Sequence, residues 1–125
     1  MEISTVYTPN APEPIGPYSQ GKRVGEFLFT AGQIGLDTEG NMADGVVSQV
    51  RKALDNLGEV LAAGGASFNT VVKTTVFLQD MDDFAAVNEV YAEYFGDSAP
   101  ARSAVQAARL PKDALVEVEA IALVG

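Results

Sequence analysis

Near its C-terminal end the chain runs Leu115-Val116-Glu117-Val118-Glu119-Ala120-Ile121-Ala122-Leu123, and this run cannot be a strand with one wet face. In an extended chain successive side chains point to opposite faces. Val116, Val118, Ala120 and Ala122 then share one face, and Leu115, Glu117, Glu119, Ile121 and Leu123 share the other. The first face calls for a packed cover. The second mixes leucine and isoleucine with two carboxylates, a combination unsuited to bulk water. Apolar sheet surface left open in a small protein implies a partner. The expectation is a homo-oligomer whose sheets meet, with the carboxylates at or near the junction.

The rest of the chain supplies a cover for one face only. Val46, Val50, Ala53, Leu54, Leu57, Val60 and Leu61 recur at helical spacing, with Asp44 a candidate N-cap and Gly64-Gly65 a stop. Phe84, Val87, Tyr91, Tyr94 and Phe95 form a second stripe, capped by Asp82 or Asp83 and ended by Gly96. Between them Val71–Leu78 is rich in β-branched residues and reads as a strand. Strands are also expected near Tyr18–Val24, over Phe27–Ala31, over Ser103–Ala108 and over Leu115–Val124. Val24-Gly25-Glu26-Phe27 is a tight hairpin turn and Asp37-Thr38-Glu39-Gly40 a further turn. Residues 9–17 hold four of the six prolines and read as an ordered, extended loop. No repeat or linker divides the chain, so residues 1–125 read as one domain of α+β or mixed α/β class.

Composition narrows the chemistry. Histidine and cysteine are both absent, so acid–base work falls to Asp, Glu, Lys, Tyr or bound water. The formal charge is −9 and the eight Lys and Arg are scattered, which argues against a nucleic-acid partner. No apolar run approaches the about 20 residues of a membrane span, no signal peptide is visible, and a cytoplasmic location is the expectation. Asp80, Asp82 and Asp83 sit where helix capping explains them, so no metal site is expected. Gly16-Pro17-Tyr18-Ser19-Gln20-Gly21-Lys22 has the spacing of a phosphate-binding loop, but Arg23 and Gly25 follow where Ser or Thr and a helix are needed.

The candidate working groups follow. Arg102, just after Pro100, has a planar fork suited to a carboxylate ligand or to a salt bridge with Glu117 or Glu119. Glu117, in an apolar strand, is a candidate base with a pKa raised by burial; a charge at an oligomer junction is the alternative. Asn88 near the second apolar stripe either pins a loop or reaches a ligand. Tyr18 offers a hydroxyl or ring to a pocket, or plain packing. In Thr30-Ala31-Gly32-Gln33, Gly32 permits close backbone approach by a ligand, or marks a bulge.

As a set, these segments resemble one family. Ile15-Gly16-Pro17-Tyr18-Ser19-Gln20-Gly21, Phe29-Thr30-Ala31-Gly32-Gln33-Ile34, Val72–Leu78, Phe84–Tyr91, Pro100-Ala101-Arg102-Ser103 with Ala108-Arg109-Leu110-Pro111, and Val116–Ala122 are similar, in order, to the signatures of the reactive intermediate (imine/enamine) deaminase A family, the Rid or YjgF-like proteins. The resemblance covers nearly the whole chain. It implies a chorismate-mutase-like α+β fold, with a mixed sheet, two helices on one face, and a homotrimer around a central β-barrel with ligand clefts between subunits. It implies hydrolysis of 2-iminobutanoate, 2-iminopropanoate and their enamine tautomers, released by pyridoxal-phosphate enzymes, to 2-keto acids and ammonia, without metal or cofactor.

By the same resemblance Arg102 pairs with the substrate carboxylate, and Glu117 orients or activates the attacking water. Tyr18, Thr30, Gly32 and Asn88 match positions that line the cleft. Two positions depart from the usual pattern: Ala104 stands where many members carry cysteine, and Thr30 where many carry serine.

Overall fold

Seven strands and two helices account for the chain, whose computed structural model describes residues 1–125. In order they are β1 (Ile3–Val6), β2 (Gly21–Val24), β3 (Phe27–Thr30), β4 (Gln33–Ile34), α1 (Gly45–Ala63), β5 (Val71–Leu78), α2 (Phe84–Phe95), β6 (Ala101–Gln106) and β7 (Val116–Leu123). They form one sheet in the order β1-β2-β3-β7-β5-β6, with β4 also pairing β7. Only β5 and β6 run parallel; the other pairs are antiparallel. A mixed sheet with two helices is the α+β architecture expected.

The alternation in β7 is realised. Val116, Val118, Ala120 and Ala122 are buried, whereas Glu117, Glu119 and Ile121 are half-buried and Leu123 is exposed. The buried face packs under α1 and α2 in a single core that includes Leu28, Val50, Leu54, Leu57, Leu61, Val76, Val87 and Phe95. Each such side chain contributes about 1.5–3 kcal/mol relative to exposure. The opposite face carries Phe27, Phe29, Val105 and Leu123, each at least 40% exposed, and nothing in the chain covers it.

Several element ends differ from expectation, for local reasons. Asp44 occupies the N-cap of α1 but makes no side-chain cap bond. Asp83 occupies the N-cap of α2, as expected, but makes no side-chain cap bond; the Asp80 carboxylate instead accepts from the Asp82 N–H at 2.9 Å and starts the short 3₁₀ turn Met81–Asp83 just before it. The strand expected from Tyr18 begins only at Gly21, because Gly16-Pro17 holds the chain in a bend; Gly16 has φ 116°. β1 was not expected at all. It pairs β2 with Val6 opposite Gly21, and a Cβ on Gly21 would meet Val6 at 3.3 Å.

Two buried amides on the core stripe of α1 fix the sheet near β4. Asn56 Nδ2 donates to the Ile34 and Leu36 carbonyls at 3.1 and 2.8 Å. Gln49 Oε1 accepts from the Leu115 N–H at 2.8 Å. Gly35 lets this helix come close, since a Cβ there would lie 2.6 Å from Gln49 Cα. These contacts set the position of Gly32–Ile34 against β7.

Candidate active site

Glu117 lines a cleft of about 430 Å³ together with Tyr18, Gly32, Gln33, Pro111 and Lys112. Backbone proximity builds its floor. Gln33 and Ile34 pair with Val118 and Glu117, and Gly32 directly precedes them. A Cβ on Gly32 would come 2.3 Å from Glu117 Oε2, so only glycine leaves room for the carboxylate in this pose. Burial pushes the Glu117 carboxyl above its ordinary value, and the neighbouring charge of Glu119 adds to the rise.

The proline-rich loop forms the outer wall. Gln20, buried, holds it in place. Its Oε1 accepts from the Thr8 N–H at 2.7 Å, and its Nε2 donates to the Thr8 and Pro12 carbonyls, both at 3.0 Å. The Tyr18 hydroxyl accepts from the Ile15 N–H at 3.3 Å, which leaves its ring half exposed at the cleft. Glu13, a further wall residue, accepts a hydrogen bond from the Tyr7 hydroxyl.

Arg102 lies elsewhere. Its β5 partner is Thr74, and Thr74 in turn pairs with Ala120 on β7. Ala120 is three residues from Glu117, an odd offset, so Arg102 and Glu117 project from opposite faces of the sheet. An ion pair between them within one chain is excluded, and Arg102 is not among the groups that bear on the Glu117 pKa. The guanidinium instead sits 4.8 Å from the ring centre of Tyr91 and 5.2 Å from that of Phe84. One of its nitrogens donates to Asn88 Oδ1 at 2.7 Å. No carboxylate pairs with it; the chain's two salt bridges are Arg51–Glu93 and Arg109–Asp113. It opens onto a second pocket of about 400 Å³ with Asn88, Tyr91, Phe95 and Pro100.

Thus the expected residues divide into two groups. Tyr18, Gly32 and Glu117 line one cleft; Asn88 and Arg102 line the other. Asn88 pins no loop: its amide oxygen accepts from Arg102, and the residue lines the same pocket. Thr30 lines neither cleft: its hydroxyl accepts from the Ala120 N–H at 3.0 Å, taking a place in the sheet where β3 gives way to β4. Sequence reasoning placed Phe84 and Tyr91 in the core stripe and missed their second role, as walls around a guanidinium. It also passed over Lys112, for which a positive φ is the only distinguishing mark, and a sequence does not display φ.

Relatives with this architecture are known. The chain matches the family model described as Endoribonuclease L-PSP over residues 8–124. It is 56% identical over 119 residues to a RutC family protein of Pyrococcus horikoshii, covering 94% of each chain. It is 51% identical over 122 residues to the 2-iminobutanoate/2-iminopropanoate deaminase of Mus musculus, covering 96% of this chain and 90% of that one. Among solved structures, that of E. coli TdcF with bound serine superposes with a TM-score of 0.93 at 42% identity, covering 98% of this chain and 99% of that one. The resemblance noted in the sequence is thereby established, and the chain belongs to the Endoribonuclease L-PSP family, the YjgF/Rid proteins.

Proposed function

We propose that this protein is a 2-imino acid deaminase, hydrolysing 2-iminobutanoate and 2-iminopropanoate to 2-keto acids and ammonia. The observation that carries the reading is an unengaged pair. One guanidinium has no carboxylate partner, and one half-buried carboxylate with a raised pKa stands in a cleft with no cation bound to it. Arg102 binds the substrate carboxylate, and its pose is set by the Asn88 bond and by the Phe84 and Tyr91 rings. Glu117 receives a hydrogen bond from the attacking water. Water adds to the imine carbon, its two protons pass to the nitrogen, and the C–N bond breaks to release ammonia and leave the ketone. A free imine hydrolyses unaided, so positioning is sufficient and no cofactor is required.

The reading requires a second copy of the chain, because Arg102 and Glu117 face opposite ways in one subunit. The uncovered face of Phe27, Phe29, Val105 and Leu123 suits such an assembly. In the proposed homotrimer the sheets meet at that face, and Arg102 of one copy closes the Glu117 cleft of the next. The mouse relative's name supports the reaction, and the serine bound in the E. coli TdcF structure supports a small amino-acid-like ligand. Ribonuclease action, which the family description names, fits poorly with a net charge of −9 and no histidine.

The test is a coupled assay in which a threonine dehydratase generates the imine and semicarbazide traps what escapes. Wild type should lower semicarbazone formation. Arg102→Ala should not, while sedimenting as wild type does. Glu117→Gln should still bind a 2-keto acid but not turn over. Full activity in Arg102→Ala would sink the reading.

A further inference from the structure

We propose that Lys112 is a second carboxylate-recognising cation of the site, drawing the anionic substrate to the Glu117 cleft before Arg102 engages it. The inference rests on the imine-hydrolase reading for its substrate, but its geometry is independent of that reading. The cleft's charged lining consists of Glu13, Lys112 and Glu117, so Lys112 is its one cation. Arg102 opens onto the other pocket. With 17 acidic and 8 basic residues, the chain as a whole repels an anion such as a 2-imino or 2-keto carboxylate. A local positive charge at the cleft offsets that repulsion where it matters.

Lys112 is also held in an unusual way. Lys112 and Asp113 have φ of 55° and 56°, two successive non-glycine residues in the left-handed region. Such backbone persists only where the surroundings over-determine it, and it concentrates at functional sites. Here the surroundings are explicit. The Asp113 N–H donates to the Leu110 carbonyl and the Ala114 N–H to the Pro111 carbonyl, both at 3.1 Å. Leu110 and Ala114 are buried and anchor the two ends of the turn. Arg109 Nε holds Asp113 Oδ1 at 2.8 Å, so the one acid next to Lys112 is already engaged. The Lys112 ammonium has no hydrogen bond or ion pair within the chain, whereas Lys22 and Lys73 each donate to a hydroxyl. The turn therefore places Lys112, whose ammonium is unpaired, in the lining of the Glu117 cleft.

The experiment is calorimetric titration of the full-length protein with 2-oxobutanoate, at low and at high sodium chloride. The variants are Lys112→Asn and Lys112→Arg. Asparagine tolerates positive φ better than most residues, so Lys112→Asn removes the charge while keeping the turn. At low salt Lys112→Asn should bind about fivefold more weakly than wild type, as expected for one exposed charge pair. Lys112→Arg should match wild type, and high salt should erase the difference. Equal binding by Lys112→Asn and wild type at low salt overturns the inference. So does a Lys112→Arg variant as weak as Lys112→Asn, or a wild type that binds no keto acid. A wild type that binds the keto acid through Lys112 yet hydrolyses no imine defeats the deaminase reading alone.

Discussion

The Glu117 carboxylate lies so close to the backbone at Gly32 that a Cβ there would stand 2.3 Å from Oε2 and 2.7 Å from Cδ. The contacts, which reach Cγ at 2.8 Å, are all with one flexible side chain and none with backbone, so substitution moves the carboxylate and spares the fold. Gly32→Ala should melt within a few degrees of wild type by circular dichroism. Its kcat/KM in the semicarbazide assay should fall on the order of a hundredfold, as for a misplaced catalytic group. Unchanged kinetics would show that the observed pose of Glu117 is not the working one.

The pH profile should carry the signature of Glu117. Its folded pKa lies above the ordinary value of 4.5, through burial first and Glu119 second. A protonated carboxyl no longer accepts from water, so kcat/KM should fall as pH drops through that raised value. Glu119→Gln removes the smaller cause and should move the limb partway down, not all the way. Stability has the matching sign: what neutral Glu117 contributes is present below its unfolded pKa and is lost as pH rises through the folded one. Glu117→Gln should therefore gain stability relative to wild type as pH rises, read from urea midpoints. A constant difference across pH would contradict this.

Arg102→Lys keeps the charge but loses the fork and most of the stacking on Phe84 and Tyr91. Activity should drop on the order of tenfold or more, since a lysine cannot reproduce two-point carboxylate binding from between two rings. A lysine variant as active as wild type would mean that charge alone suffices at this position.

Gln20 makes three hydrogen bonds to the loop that walls the cleft. Gln20→Ala leaves a buried Thr8 N–H without its acceptor and should cost about 1–3 kcal/mol in urea unfolding. Amide exchange over residues 8–17 should speed up more than exchange in β5. Loss spread evenly over both segments would argue that Gln20 supports the whole fold rather than the loop.

Much of the scaffold could be read from order along the chain. The β-branched run Val71–Leu78 is a strand with those bounds, and the helical stripes bury most of the residues that their spacing selected, with Val46, Phe84 and Tyr94 partly buried at the core's edge. The uncovered second face of β7 followed from alternation alone. These are local or periodic properties, which a linear chain displays. Short elements escaped for the same reason. β1 and β4 are four and two residues long and exist only because β2 and β7 pair with them.

The sequence by itself supplied the candidates by type and context, Tyr18, Thr30, Gly32, Asn88, Arg102 and Glu117, and all but Thr30 line a pocket. Only the tertiary structure decided how they divide. Register between β6, β5 and β7 puts Arg102 among aromatic rings on the helix-covered face and Glu117 on the open one. Pairing of β3 with β7 places the Thr30 hydroxyl on the Ala120 amide and out of the cleft. Strand register is set by which distant segments pair, and a shift of one residue would exchange every face. That information lies in contacts between segments far apart along the chain, and it is why residue types could be read in advance while their partners could not.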